Sequence, residues 1–172
     1  MSRKVIVWGT GNVGRPAIRA VLAHADLELA GVVVSNPGKV GRDAGAIAGV
    51  ADCGTSCTDD WQGLLSAGAD AVVYTATADT RPEEAMADLM ACLKSGINVT
   101  APGFYALLHP DSTPPELLSE LEAVCKESGA SVFISGIDPG WAMDYLPVAC
   151  SGASADITEI RCREIFNYTL YD

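Results

Sequence analysis

Near the start of the chain, Gly9-Thr10-Gly11-Asn12-Val13-Gly14 spaces three glycines as G-x-G-x-x-G, a pattern that lets the main chain wrap a pyrophosphate. Gly9 permits a sharp turn at the end of a strand, and Gly11 removes the Cβ that would stand between backbone and phosphate. Gly14 lets the following helix pack closely on the strand before it. That helix would aim its unpaired N–H groups and positive dipole end at the anion. Gly9, Thr10, Gly11, Asn12, Val13 and Gly14 are therefore read as a dinucleotide-binding loop. Arg15 is either a further phosphate contact or an exposed first-turn residue.

Glycine-rich turns also arise for purely structural reasons, so the flanking elements decide. Lys4-Val5-Ile6-Val7-Trp8 is a buried-strand run before the glycines, residues 13–25 carry apolar side chains at helical spacing, and 27–34 is a second apolar run. Strand, loop, helix and strand make a βαβ unit, which crosses over right-handed. The alternation continues with a short helix over 41–49 and a helix carrying Trp61, Leu64 and Leu65 behind a cap at Asp59 or Asp60. Strands follow over 71–75, 97–100 and 130–134, separated by helices over 82–94 and 115–127. This order predicts an α/β fold, a Rossmann-type doubly wound parallel sheet. Residues 1–135 are read as the NAD(P)-binding domain. Residues 136–172 are read as a connecting segment, helical over 142–149 despite Pro147, and the first strand, over 157–168, of an α+β substrate domain that is incomplete in this chain.

The 172 residues suffice for one such domain with a substantial core and little more. A hydrophobic content of 49% suits parallel strands buried on both faces. The net charge of −11 argues against nucleic acid or an anionic membrane as partner, since either would be repelled over most of the surface. A small-molecule substrate is the expected partner, with homo-oligomerisation through the partial C-terminal domain. Ser2-Arg3-Lys4 leads straight into a strand, without the apolar stretch of a signal peptide, so a cytoplasmic location is expected. Cysteines 53, 57, 92, 125, 150 and 162 are scattered, and reduced thiols are the expectation. No second Cys or His pair joins Cys53 and Cys57 at zinc-site spacing, so no metal is expected.

Cofactor choice is read at the end of the second strand. An NAD site places an Asp or Glu there, about twenty residues past the glycines, to bond the ribose 2′-OH. Here the place holds Ser35-Asn36, with Lys39 and Arg42 following. Nothing there repels a 2′-phosphate, so NADP is favoured, with NAD possible; alternatively Lys39 and Arg42 are ordinary solvated charges and both cofactors are accepted. Thr75, Ala76 and Thr77 end the third predicted strand at the carboxyl edge, either as a seat for the nicotinamide ribose or as turn residues. His109 is a candidate proton donor or a loop residue bonded to backbone. His24, at the end of the first helix, is read as a structural charge at the negative dipole end.

The chain resembles the N-terminal domain of dihydrodipicolinate reductase-like oxidoreductases. The resemblance rests on residues 8–14, on Gly41-Arg42-Asp43-Ala44-Gly45, and above all on Gly136-Ile137-Asp138-Pro139-Gly140-Trp141-Ala142-Met143-Asp144-Tyr145-Leu146-Pro147. That last segment is similar to the G-(V/I)-N-P-G-F-x-M-D-x-L-P run of the 2,4-diaminopentanoate dehydrogenase and native amine dehydrogenase branch. The resemblance implies an NADP-dependent oxidoreductase that reduces or forms a C=N or C=O bond of a small metabolite, the amine or imine class preferred. Asp138 stands where that branch has Asn, and is read as an anchor for a cationic amine or as a helix cap. Asp144 matches the branch's Asp, with catalytic and loop-fixing readings both open, and Trp141 either walls the nicotinamide or packs a core. Departures also show. The paired histidines and lysine of the reductases are absent near residues 163–168, the E-K-P of related sugar dehydrogenases is replaced by Ala101-Pro102-Gly103, and 102–105 lacks the glutamate of amine dehydrogenases. These losses motivate the alternative of a nucleotide-binding sensor or partner-binding module without turnover.

Overall fold

Strand β1 (Arg3–Trp8) has apolar side chains on both faces, and both are covered: Val5, Ile6, Val7 and Trp8 are all buried. In the computed structural model, which describes residues 2–167 and 169, β1 lies in the middle of a six-stranded sheet. Strand alternation sorts its side chains. Val5 and Val7 join a core with Ile18 and Val21 of α1 (Gly14–Ala23) and Ile47 of α2 (Ala44–Ala48). Ile6 and Trp8 join a second core with Leu65 of α3 (Trp61–Ala67), Leu89 and Leu93 of α4 (Pro82–Lys94) and Leu121 of α5 (Pro115–Ser128).

The remaining strands are β2 (Leu27–Val33), β3 (Cys57–Thr58), β4 (Ala71–Tyr74), β5 (Asn98–Ala101) and β6 (Val132–Ile134). All pairs are parallel and the order is β3-β2-β1-β4-β5-β6. This is the doubly wound Rossmann sheet that the alternating pattern predicts. The chain runs outward from β1 through β2 and β3, then crosses back to build β4, β5 and β6 on the other side. The reversal opens a crevice at the carboxyl ends of β1 and β4, the switch point where ligands enter such sheets.

Local chemistry sets the helix ends. Asp60, not Asp59, caps α3, its Oδ1 accepting from Gly63 N at 2.9 Å. Pro82 and Pro115 open α4 and α5 at positions whose N–H would be unpaired anyway. Gly129 closes α5 in the left-handed conformation. The two-residue β3 escaped sequence reading because Thr55-Ser56-Cys57-Thr58 shows no apolar run; its register comes from pairing Cys57 with Val32 and Thr58 with Val33.

Residues up to Ile134 form one compact unit and those from Ser135 on a second. In the second unit, Gly136 N donates to Pro139 O, and Asp144 Oδ2 accepts from Gly140 N at 2.7 Å. A π-helical turn (Trp141–Tyr145) runs directly into α6 (Leu146–Ser151), where Pro147 is tolerated in the first turn. The strand expected over 157–168 does not form in the described residues: 157–167 has no regular secondary structure, and Tyr168 lies outside them. Ile157, Ile160, Ile165 and Phe166 are all exposed, and the stretch joins no ladder of the kind that a strand requires. All six cysteines are free thiols, with Cys57 and Cys92 buried. No helix among the described residues is long and apolar enough to cross a membrane.

One carboxylate organises the segment between β2 and β3. Asp43 caps α2, its Oδ1 accepting from Gly45 N at 2.7 Å, Ala46 N at 3.2 Å and Cys53 N at 3.1 Å, while Oδ2 accepts from Gly54 N at 2.8 Å. These N–H groups, that of Cys53 foremost, hold the carboxyl below its ordinary value of 3.8. A depressed folded pKa contributes stability that is present above the unfolded value and lost as pH falls through the folded one. Asp43→Asn should therefore lower the thermal midpoint at neutral pH. The gap to the parent should close as the pH is taken below about 4; thermal melts of both proteins across acid pH check this, and a gap independent of pH would contradict it.

Candidate functional site

The three glycines after β1 do three different things. Gly9 has φ +107°, and a Cβ there would lie 2.8 Å from Ala76 N and 2.9 Å from Thr75 Oγ1. A Cβ on Gly14 would collide with Gly9 O and stand 2.8 Å from Thr75 Oγ1. Both glycines are thus required by the protein itself, which seats α1 on β1 and both against the loop after β4. Gly11 is the exception: a Cβ there meets no atom within 4 Å. Its bare backbone faces open space at the switch point, the shape of a cradle for a group brought from outside.

The start of α1 completes that cradle. Val13 occupies the capping position, no side chain caps the helix, and its first turn holds no acid. Arg15 N, the first to turn inward, donates to Gly11 O at 3.2 Å. An uncapped helix start leaves N–H donors and the positive end of the dipole for an anion. Across the crevice, Thr75 N donates to Trp8 O at 2.7 Å, and Thr75 Oγ1 lies 3.0 Å from Trp8 O and 3.2 Å from Gly9 O. Thr75 therefore bolts the β4 loop to the glycine loop, while Ala76 is half-buried and Thr77 exposed.

Beyond β2, Ser35 and Asn36 are exposed. Asn36 Oδ1 accepts from Gly38 N at 2.9 Å and so starts the 3₁₀ turn Pro37–Lys39. That turn sends Lys39 back over the glycine loop, where Nζ donates to Thr10 Oγ1 at 3.0 Å and Thr10 O at 3.2 Å. Arg42 stays exposed and enters the fold through its backbone, with N donating to Lys39 O at 3.2 Å and O accepting from Cys57 N at 2.8 Å. Arg15 is exposed as well. The structure thus gathers Gly9, Thr10, Gly11, Asn12, Val13, Gly14, Lys39, Thr75 and Ala76 at one edge of the sheet, and leaves the guanidinium groups of Arg15 and Arg42 in solvent.

The candidate proton donors and anchors are placed differently. His109 sits on an exposed turn after β5, its Nδ1 2.9 Å from Ser112 Oγ, and its carbonyl accepts from Ser112 N. In the second unit, Asp138 is exposed and close to Glu164. The hydrogen bond with Asp138, followed by desolvation and the like charge, lifts the Glu164 carboxyl above its ordinary value. Asp144 turns inward on Gly140 N and fixes the loop that begins the π-helical turn. Trp141 is exposed. No cluster of metal-ligating side chains occurs among the described residues.

Two polar arrangements escaped sequence reading. One is the Asp43 knot, whose four partners are brought together only by the folded loop. The other is Tyr74, buried at the end of β4, whose hydroxyl donates to Asp88 Oδ2 at 2.8 Å while Arg81 Nη2 donates to the same oxygen at 2.6 Å. Burial, then the bond to Asp88, pushes the Tyr74 hydroxyl well above its ordinary range. A tyrosine closing an apolar strand, with Arg81 and Asp88 two helical turns apart, was the available signal.

The family described as "Dihydrodipicolinate reductase, N-terminus" matches residues 3–101, from β1 to the end of β5. The chain is 50% identical over 169 residues to an amine dehydrogenase of Streptomyces virginiae, covering 97% of this chain and 47% of that protein. It is 25% identical to the 2,4-diaminopentanoate dehydrogenase of Acetoanaerobium sticklandii, over 94% of this chain and 46% of that protein. Among solved structures, an amine dehydrogenase from Mycobacterium smegmatis superimposes with a TM-score of 0.73 at 24% identity, covering 91% of this chain and 46% of that one. The chain spans about half the length of the curated relatives it matches. The Rossmann sheet, the glycine loop at its switch point and the match over residues 3–101 agree: the chain belongs to the dihydrodipicolinate reductase N-terminal domain family.

Proposed function

We propose that this chain binds NADP(H) in preference to NAD(H), and that the whole protein is an oxidoreductase forming or reducing a C=N or C=O bond of a small metabolite, with the amine or imine class preferred. The observation that carries the reading is the open Gly11 backbone beside the uncapped start of α1, with Lys39 folded onto Thr10 next to it. Gly11 and the first N–H groups of α1 hold the pyrophosphate, and Lys39, helped by Arg42 from solvent, neutralises a 2′-phosphate near Ser35 and Asn36. Thr75, Ala76 and Thr77 line the side of the crevice toward the nicotinamide. When bound, the dinucleotide would supply the hydride for reduction or accept it when the double bond is formed, and the protein's share is to orient it and exclude competing reactions.

The substrate class draws support from the names of the relatives, an amine dehydrogenase and a diaminopentanoate dehydrogenase. Asp138, with Glu164 beside it, offers negative charge for a cationic amine, and His109 is the candidate proton donor. Residues 1–135 form the nucleotide-binding domain in this reading, and 136–172 lead into a substrate domain through which the protein pairs with further copies. Supplying the chain with the remainder of the protein and following NADPH oxidation with a ketone, with and without ammonium, tests the class. Consumption that requires ammonium supports it, and consumption indifferent to ammonium moves the reading to carbonyl reduction.

Calorimetric titration should give NADPH an affinity at least about ten-fold above that for NADH, since one charge-assisted contact is worth about 1.5–3 kcal/mol. Lys39→Glu combined with Arg42→Glu should remove that preference by weakening NADPH alone. Equal affinities in the unmodified chain would contradict it. Gly11→Val should keep the parent's thermal midpoint, because a Cβ there meets no atom within 4 Å, yet lose binding of either cofactor by about a hundred-fold or more through direct overlap with the pyrophosphate. A Gly11→Val protein that folds and binds normally would move the nucleotide site elsewhere.

A further inference from the structure

We propose that Asp88 is a positioning residue for the nicotinamide half of the cofactor, acting through a clamp that joins the two ends of the loop over residues 75–81. The inference rests on the dinucleotide reading above. Tyr74 is the residue before this loop and Arg81 its last residue, next to the start of α4. Both donate to one oxygen, Asp88 Oδ2, from opposite ends of the segment at 2.8 and 2.6 Å.

Core packing alone does not call for this arrangement. The Tyr74 ring packs with Trp8 and Phe104 at centroid distances of 5.7 and 5.4 Å, and phenylalanine would fill the same space. Its buried hydroxyl needs a partner, and a carboxylate whose side chain is only 15% exposed needs a cation nearby. Arg81 supplies that cation. Among the described residues no buried side-chain polar atom is left without a partner. The network is fully satisfied, so it can hold a single geometry.

What it holds lies opposite the glycine loop. At its start the segment is bolted by Thr75 to Trp8 and Gly9, with Ala76 N pressed against Gly9. In its middle Ala78 is buried in the core, near the position a Cβ on Gly103 would take. At its far end Arg81 O accepts from Ala85 N in α4, and the Arg81–Asp88 pair ties it to the sheet-borne Tyr74. Releasing Asp88 would leave the Thr75 bolt and the whole Gly11 cradle intact while freeing the stretch that runs past the nicotinamide ribose. Binding a ligand to a loop that must first be ordered lowers affinity without removing any contact.

The test compares two probes on the same protein: NADPH, and adenosine 2′,5′-bisphosphate, which lacks the nicotinamide half. Asp88→Ala should raise the Kd for NADPH about ten-fold and that for the bisphosphate by less than about two-fold. Asp88→Asn should recover part of the loss. Tyr74→Phe, which keeps the ring packing, should show the same selective effect in smaller measure and carries the test if Asp88→Ala does not fold. Adding Tyr74→Phe to Asp88→Ala should cost little more, because both break the same clamp. Equal weakening of the two probes, or no change in either, would overturn the clamp while leaving the dinucleotide site standing. An unmodified chain that binds neither probe would overturn the dinucleotide reading and the clamp with it.

Discussion

The contact on which the rest of the structure depends is the approach of Gly9 to the backbone of Thr75 and Ala76. Two parallel strands, β1 and β4, end side by side, and their loops must pass each other within a distance that a single Cβ would violate. Gly14 then brings α1 down onto Gly9 itself. Thr75 seals the joint with its N–H, which donates to Trp8 O, and with its hydroxyl, which reaches the Trp8 and Gly9 carbonyls. With that crossing made, the loop stays exposed from Gly11 to Val13, and no atom lies within 4 Å of where a Cβ on Gly11 would stand. The proposed ligand cradle is what remains open once the sheet has closed around its neighbours.

Charge is arranged against the background of the whole molecule. A chain with a net charge of −11 repels anions at long range, so an anionic ligand must be held by groups acting at contact distance. The start of α1 carries no acid in its first turn, and Lys39 is drawn over the loop by the turn that Asn36 initiates. The Asp43 carboxylate, nearby in sequence, is saturated by backbone N–H groups. Thus the Asp43 carboxylate is spent internally on folding the loop, while the Lys39 ammonium rests on the glycine loop.

Sequence reading went furthest where local pattern and global structure ask for the same thing. The apolar runs of β1, β2 and β4 are buried on both faces and had to be interior parallel strands. The proline and glycine boundaries of α4 and α5 follow from rules confined to one helix turn. The glycine loop was legible for the same reason, since its spacing encodes a local backbone path. What could not be read was the meeting of distant residues: Lys39 on Thr10, Asp43 on Cys53 and Gly54, and Tyr74 with Arg81 on Asp88. The missed β3 is too short and too polar to announce itself. The strand expected over 157–168 shows the opposite error: β-forming residues were present, but a strand is a property of a pair, and 157–167 joins no sheet among the described residues.

The central claim is that the open backbone at the β1–β4 crossing is a dinucleotide site. Amide-resolved NMR during titration with NADPH tests it most directly, because it reports where the ligand lies without presuming a reaction. The account predicts that the largest saturable shifts fall on Gly11, Asn12, Val13 and Gly14, with Lys39 and residues 75–77 moving at the same ligand concentration. Shifts confined instead to the apolar cavity between α5 and β6, lined by Leu118, Leu121, Val132 and Ile134, or an absence of saturable shifts at the glycine loop, would contradict it.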